Sequence, residues 1–205
     1  MLVTLPGAAG TEADEPRALQ ALLVAEGYAP GGMALNARVV PRLWTQGYSV
    51  LAAEAKALGA PHVVILAADP ALRQLASVGF ACNETDPFHA DQAGYHWPGR
   101  YLRPQGPARL ASPVVGLETL TGGVAGVGGV VTHADDPVVN GLYYRALQDG
   151  LTATVWLLPM AVEAARRTGR PCISGLNRAE IASALIAGLE GLSRRLRPPA
   201  ISRVA

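Results

Sequence analysis

The segment Gly128-Gly129-Val130-Val131-Thr132-His133-Ala134-Asp135-Asp136-Pro137-Val138-Val139-Asn140-Gly141-Leu142-Tyr143-Tyr144 decides how this chain is read. Residues 130–132 predict a short buried strand, and the polar turn after them leads into a helix. Asp136 has the residue type of an N-cap, and Pro137 stands just inside it, where a missing N–H costs nothing. A strand running into a helix N-terminus is where α/β proteins place their chemistry, because free backbone N–H groups meet the positive end of the helix dipole there. The first turn of this helix presents Val139, an apolar residue where a nucleophile would be expected.

Outward from this corner the chain alternates. Residues 1–5 form an apolar, β-branched run ended by Pro6-Gly7, a buried strand. In residues 16–27, Leu19, Leu22, Leu23 and Ala25 recur at helical spacing and Gly27 stops the helix. Residues 33–40 alternate in polarity, predicting a strand with one exposed face. Residues 50–58 predict a helix with Leu51, Ala55 and Leu58 on one side. His62-Val63-Val64-Ile65-Leu66-Ala67 is apolar on both faces, as a parallel sheet covered by helices requires. Residues 79–83 read as a further strand. Residues 115–121 predict a short helix, and the glycines at 122, 123, 126, 128 and 129 predict a loose connector. Thr154-Val155-Trp156-Leu157-Leu158 is another buried strand. The last helix opens on Asn177 with Glu180 in the capping-box position, and Pro198-Pro199 ends it. Such an order predicts an α/β/α three-layer sandwich with a twisted, mainly parallel sheet. One domain spanning 1–205 is expected, with a long loop at about 84–110 and a frayed tail at about 198–205.

Composition narrows the function classes. The 205 residues are 50% hydrophobic and carry a formal charge of +1, too weak a field to favour nucleic acid or an acidic membrane surface. Two cysteines, Cys82 and Cys172, are too few for a disulfide scaffold. No stretch reaches the roughly 18 uninterrupted apolar residues of a membrane span, and the first residues lack the pattern of a signal peptide. The expectation is a soluble cytoplasmic protein with no cofactor.

Several segments together resemble the pyroglutamyl-peptidase family, also called pyrrolidone-carboxylate peptidases. They are Leu2-Val3-Thr4, the central strand followed by Arg73 and Ala81-Cys82-Asn83, residues 134–144, and Leu158-Pro159 with the final helix. The family signature Ser-x-x-Ala-Gly-x-x-Val-Cys-Asn-x-x-x-Tyr places Ala134, Val138, Asn140 and Tyr144 in register. What the resemblance implies is an α/β/α exopeptidase that removes N-terminal pyroglutamate with a Cys-His-Glu triad. The matching positions here are apolar: the cysteine falls on Val139, the histidine on Leu157, and the glutamate on Val78 or, with a shifted gap, on Gly79. The family's Gly-Phe-Glu-Pro-Phe loop is replaced by Leu5-Pro6-Gly7-Ala8-Ala9, and its arginine after Asp-Asp-Ala by Phe88. Valine and leucine have no donor, acceptor or titrating group, so neither proton transfer nor attack can occur on them.

The resemblance therefore implies a homologue without cysteine-peptidase activity, acting as a binding or interaction protein that takes a small-molecule or peptide ligand and self-associates. Two alternatives stand beside it. His89-Ala90-Asp91 and His133-Ala134-Asp135 repeat one tripeptide, and in extended backbone each would present a histidine and a carboxylate on one face. His89, Asp91, His133 and Asp135 could then form a replacement hydrolase site, metal-assisted or not. The plainer account makes Asp135 and Asp136 helix caps, Asp91 a structural residue and the histidines ordinary loop residues. The last alternative keeps the family's peptidase activity despite the missing triad.

Overall fold

The structure is a computed structural model that describes residues 1–5, 15–114 and 116–196. The substituted loop at Pro6–Ala9, Val115 at the expected helix start, and the expected stop at Pro198-Pro199 with the tail lie outside the described residues.

Chain order is β1 (Leu2–Thr4), α1 (Glu15–Ala25), a 3-10 turn (Pro30–Gly32), β2 (Ala37–Val39), α2 (Gln46–Ala57), β3 (Val63–Ala68), β4 (Leu75–Val78), β5 (Phe80–Cys82), β6 (Arg109–Ala111), α3 (Leu117–Thr121), β7 (Val127–Val131), α4 (Pro137–Gln148), β8 (Ala153–Leu158), α5 (Val162–Thr168) and α6 (Arg178–Leu196). Six strands form one sheet in the order β2-β1-β3-β8-β4-β7. β2, β1, β3 and β8 are mutually parallel, whereas β4 runs antiparallel to β8 and carries β7 parallel to itself. The expected mainly parallel α/β/α sandwich is what forms, with its last two strands reversed.

The centre follows from residue type. All of β8 and all of β3 except its last residue are buried, because helices cover both faces and leave no polar side to the strands. On one face Val3, Ile65, Val155 and Val78 meet Leu51 of α2 and Val139, Leu142 and Tyr143 of α4. On the other, Leu2, Val64, Leu66 and Trp156 meet Leu19 and Leu23 of α1, Leu117 of α3 and Ile181, Leu185 and Leu189 of α6. The α6 start is the expected capping box, with the Asn177 amide donating to Glu180 Oε2 at 2.7 Å and the Glu180 amide to Asn177 Oδ1 at 2.9 Å.

Several expectations are corrected. The strand beside the polar turn begins at Val127 and is an edge strand, so Val130 is 54% exposed rather than buried. Of the glycine run, Gly122, Gly123 and Gly126 form the turn at positive φ, while Gly128 and Gly129 belong to β7. The strand expected at 79–83 forms as β5, but it pairs antiparallel with β6 in a separate ribbon, and the unexpected β4 precedes it in the main sheet, with Gly79 between the two. Cys82 therefore lies in that ribbon and not in the inner sheet. Only Ala37–Val39 of the 33–40 segment is a strand, and Leu22 faces solvent. α2 begins four residues earlier than expected, and α5 is an additional helix with no counterpart among the expected elements. Among the described residues, no helix is long and apolar enough to cross a membrane.

Two expected outcomes test this packing. A Cβ at Gly191 of α6 would overlap the Leu120 carbonyl of α3, so Gly191→Ala should destabilise the fold by about 2 kcal/mol through overpacking, read by urea unfolding. His62, 2% exposed at the start of β3, is lowered from 6.5 to about 4 by burial. Above pH 6.5 both states hold it neutral and it contributes no pH dependence. As pH falls from 6.5 through 4 the unfolded chain takes the proton first, and about 3 kcal/mol of stability should be lost. A His62→Gln variant should show a flatter unfolding profile over that window; an unchanged slope would contradict the assignment.

Candidate functional site

The corner between β7 and α4 is built around Asp136. Its backbone is extended and its Oδ1 accepts the amides of Val138 at 2.9 Å and Val139 at 3.2 Å. Its Oδ2 accepts from Arg42, Nε at 3.0 Å and Nη2 at 2.5 Å. Two of the N–H groups that a helix start leaves free are thus consumed by a side chain of the chain itself. Any anion arriving here would compete with a carboxylate already held by a guanidinium that is 5% exposed.

The motif residues beyond Val139 have structural work. Asn140 Oδ1 accepts the Cys82 amide at 2.8 Å, and its Nδ2 donates to the carbonyls of Cys82 at 2.9 Å and Glu84 at 3.2 Å. One side chain therefore ties β5 to α4. Tyr144 donates its hydroxyl to the Pro107 carbonyl at 2.9 Å, and Asn83 closes the same loop on Arg103, accepting its amide at 2.8 Å and donating to its carbonyl at 2.7 Å. This explains why Asn140 and Tyr144 stand where they do without reference to catalysis.

Val78, Val139 and Leu157 are 5%, 1% and 3% exposed and belong to one apolar cluster. Leu157 lies opposite Ala76 in the β4–β8 ladder. Val78, two residues along from Ala76, therefore shares its face of the sheet, and Val139 covers that face from α4. The three positions are parts of one apolar cluster. Gly79, the alternative for the glutamate position, is the break between β4 and β5, and a Cβ there would sit 3.0 Å from Val130 Cγ1.

The two His-Ala-Asp tripeptides are arranged differently. His89 Nε2 lies 3.0 Å from Arg42 Nη2; a guanidinium only donates, so this nitrogen accepts and its lone pair is taken. Asp91, buried, accepts the amides of Trp44 at 3.2 Å, Ala93 at 2.9 Å and Tyr95 at 3.0 Å. His89 and Asp91 thus turn to separate partners, and Asp91 pins the loop over the start of α2. His133 and Asp135 do face each other, Nε2 to Oδ1 at 3.6 Å, on an exposed turn. His133 Nδ1 is 3.1 Å from Thr132 Oγ1, and its ring stacks on Phe80 with centroids 6.5 Å apart. Arg42 links the two regions, since it holds both His89 and the cap Asp136. Among the described residues, no group of three or more His, Cys, Asp or Glu side chains could hold a metal ion.

The two thiols lie on other elements, Cys82 in β5 and Cys172 between α5 and α6. Burial pushes the Cys82 thiol up, with Arg109 opposing the shift, and Cys172 lies 3.3 Å from Ser174 Oγ near the Met160 carbonyl. Phe88 is 88% exposed at the loop tip. Arg42 is the residue that sequence reasoning missed: its carboxylate partner is 94 residues away, and a lone arginine after a proline carries no periodic or motif signal.

No protein-family profile and no curated protein sequence matches this chain. Solved structures do. It is similar to pyroglutamyl peptidase I of Bacillus amyloliquefaciens, with a TM-score of 0.80 at 15% identity over 94% of this chain and 95% of that one. It is similar to the pyrrolidone carboxyl peptidase of Thermococcus litoralis, at 0.80 and 13% identity over 97% of each chain. A mutant pyrrolidone carboxyl peptidase of Pyrococcus furiosus gives 0.79 and 14% identity over 96% of this chain and 100% of that one. At such identities the likeness is one of architecture, and the chain has the pyroglutamyl-peptidase fold.

Proposed function

We propose that this is a pyroglutamyl-peptidase-like protein without cysteine-peptidase chemistry, working as a binding or interaction protein. The observation that carries the reading is the state of the α4 first turn. Val139 is buried among apolar side chains, and its amide is already bonded to the Asp136 carboxylate. A helix N-terminus activates a cysteine by stabilising its thiolate, and an adjacent histidine takes the proton. Here the residue has nothing to ionise, and the apolar Leu157 and Val78 stand where the base and its orienting group would be.

A small molecule or a peptide is the ligand class of this reading, with self-association through the aromatic loop. Phe88, Tyr95 and Tyr101 are exposed large side chains on that loop, and aromatic anchors of this kind suit an interface. Neither a cofactor nor nucleic acid has a place in it.

One observation favours a second reading, a hydrolase that uses a replacement site. His133 and Asp135 approach each other at 3.6 Å on the turn before Asp136, open to a substrate. His89 would then contribute through Arg42, and Asp91 by holding the loop.

A pyroglutamyl chromogenic substrate separates the readings. Purified protein should release no chromophore above the uncatalysed rate, with or without chelator, and thiol alkylation should change nothing. Turnover lost in a His133→Ala variant would favour the replacement site, and turnover lost on alkylation would overturn the proposal. Sedimentation of the purified chain checks self-association, with Phe88→Ser expected to shift it toward monomer.

A further inference from the structure

The long loop is fastened to the segment just before α2. The Trp44 amide donates to Asp91 Oδ2 at 3.2 Å, the Gln92 amide donates to the Arg42 carbonyl at 3.0 Å, and Arg42 Nη2 lies 3.0 Å from His89 Nε2. The Trp44 and Trp97 rings add a tilted contact with centroids 5.8 Å apart. Of these fastenings, the one at His89 alone is made by an imidazole, the side chain that ordinarily changes charge between about pH 5 and 8. The His89 amide also closes a turn on the Asp86 carbonyl at 3.1 Å, so residues 86–89 form one unit with the ring.

The direction of that contact is fixed by chemistry. A guanidinium donates and never accepts, so His89 Nε2 presents its lone pair, and the neutral ring carries its proton on Nδ1. Arg42 cannot turn aside for a protonated ring: its side chain is 5% exposed, and Nε and Nη2 both donate to Asp136 Oδ2, at 3.0 and 2.5 Å.

The other charged and titratable groups around His89 do not offer it a substitute. Asp136, at the α4 cap, also accepts the Val138 and Val139 amides through Oδ1. Within the loop, Asp91 accepts the amides of Trp44, Ala93 and Tyr95, and Asp86 Oδ1 accepts the Phe88 amide at 2.9 Å. On the turn before α4, His133 and Asp135 face each other. His96 Nδ1 is 3.1 Å from the Pro87 carbonyl; there the imidazole donates, and such a bond survives protonation.

We propose that His89 is a pH-sensitive latch: in its neutral form it fastens the tip of the loop to Arg42, and on protonation in mild acid it lets residues 86–89 go. A proton on Nε2 removes the acceptor and sets two cations side by side. The bonds of Asp91 and Gln92 hold the rest of the loop, so the release is local. Phe88, 88% exposed and next to the latch, moves with it. The inference concerns how the loop is held and needs neither a ligand nor a second copy of the chain, so it stands apart from the reading of the α4 corner.

NMR of the full chain tests the latch. At pH 7.5 the His89 ring should be the Nδ1–H tautomer. Between pH 7.5 and pH 5 the Arg42 Nη2 hydrogens, corrected for intrinsic exchange, should lose about tenfold in protection from water, as expected when a hydrogen bond to a charged group is lost. Over the same range the backbone of Phe88 and His89 should gain fast motion. In His89→Gln the amide oxygen still accepts from Arg42 but takes up no proton, so both signals should stay flat. His96→Gln should respond as the native chain does, and His62 and His133 are present in both variants. An Nε2–H tautomer at pH 7.5, or unchanged Arg42 protection in the native chain, would overturn the proposal whatever the variants do, and so would a response that persists in His89→Gln. The outcome is separate from that of the peptidase assay.

Discussion

The Asp136 carboxylate is the group on which the corner depends. One oxygen closes the first turn of α4 and the other holds Arg42, a cation with almost no access to water. A buried guanidinium needs its partners, since removing one leaves an uncompensated charge whose cost is several kcal/mol. Arg42 in turn fixes His89, and its carbonyl accepts the Gln92 amide at 3.0 Å, so the long loop is attached to the helix start through one residue. Where this fold could hold a reacting anion, the chain carries its own.

The rest of the corner follows from that closure. Asn140 and Tyr144, one turn apart on α4, hold the β5–β6 ribbon and the loop beside it by hydrogen bonds to backbone. Val139, between the cap and Asn140, packs into the apolar cluster on the sheet. A single helix thus divides its faces between a polar clamp on the ribbon and an apolar seal on the sheet. Asn140 and Tyr144 hold structure here, while Val78, Val139 and Leu157 belong to the core.

What the sequence made legible were features with local causes. Asp136 with Pro137, and Asn177 with Glu180, are caps whose bonds span three residues, and both form as read. β3 and β8 are recognisable because a strand apolar on both faces must be covered on both sides. The misread elements depend on distant partners. Nothing local separates β4 from β5: the break at Gly79 exists because the chain leaves one sheet for another. β7 reads as buried from its valines, yet its place at the edge is set by strand order. The Arg42–Asp136 pair joins segments 94 residues apart, and His89 and Asp91 each reach a partner 47 residues back, Arg42 for the one and Trp44 for the other. A repeated tripeptide reads as one device used twice; its two copies meet different neighbours and do different things.

The two outer strands have a consequence for strand addition at the margins of the sheet. β2 is only three residues long and carries Arg38, whose guanidinium is drawn to Glu54 at 2.7 Å. β7 contains Gly128 and Gly129 and follows a turn whose Gly126 has φ of 84°. Short, charged or glycine-weakened margins are poor templates for a foreign strand. The molecule is thereby guarded against growing into a ribbon with its neighbours.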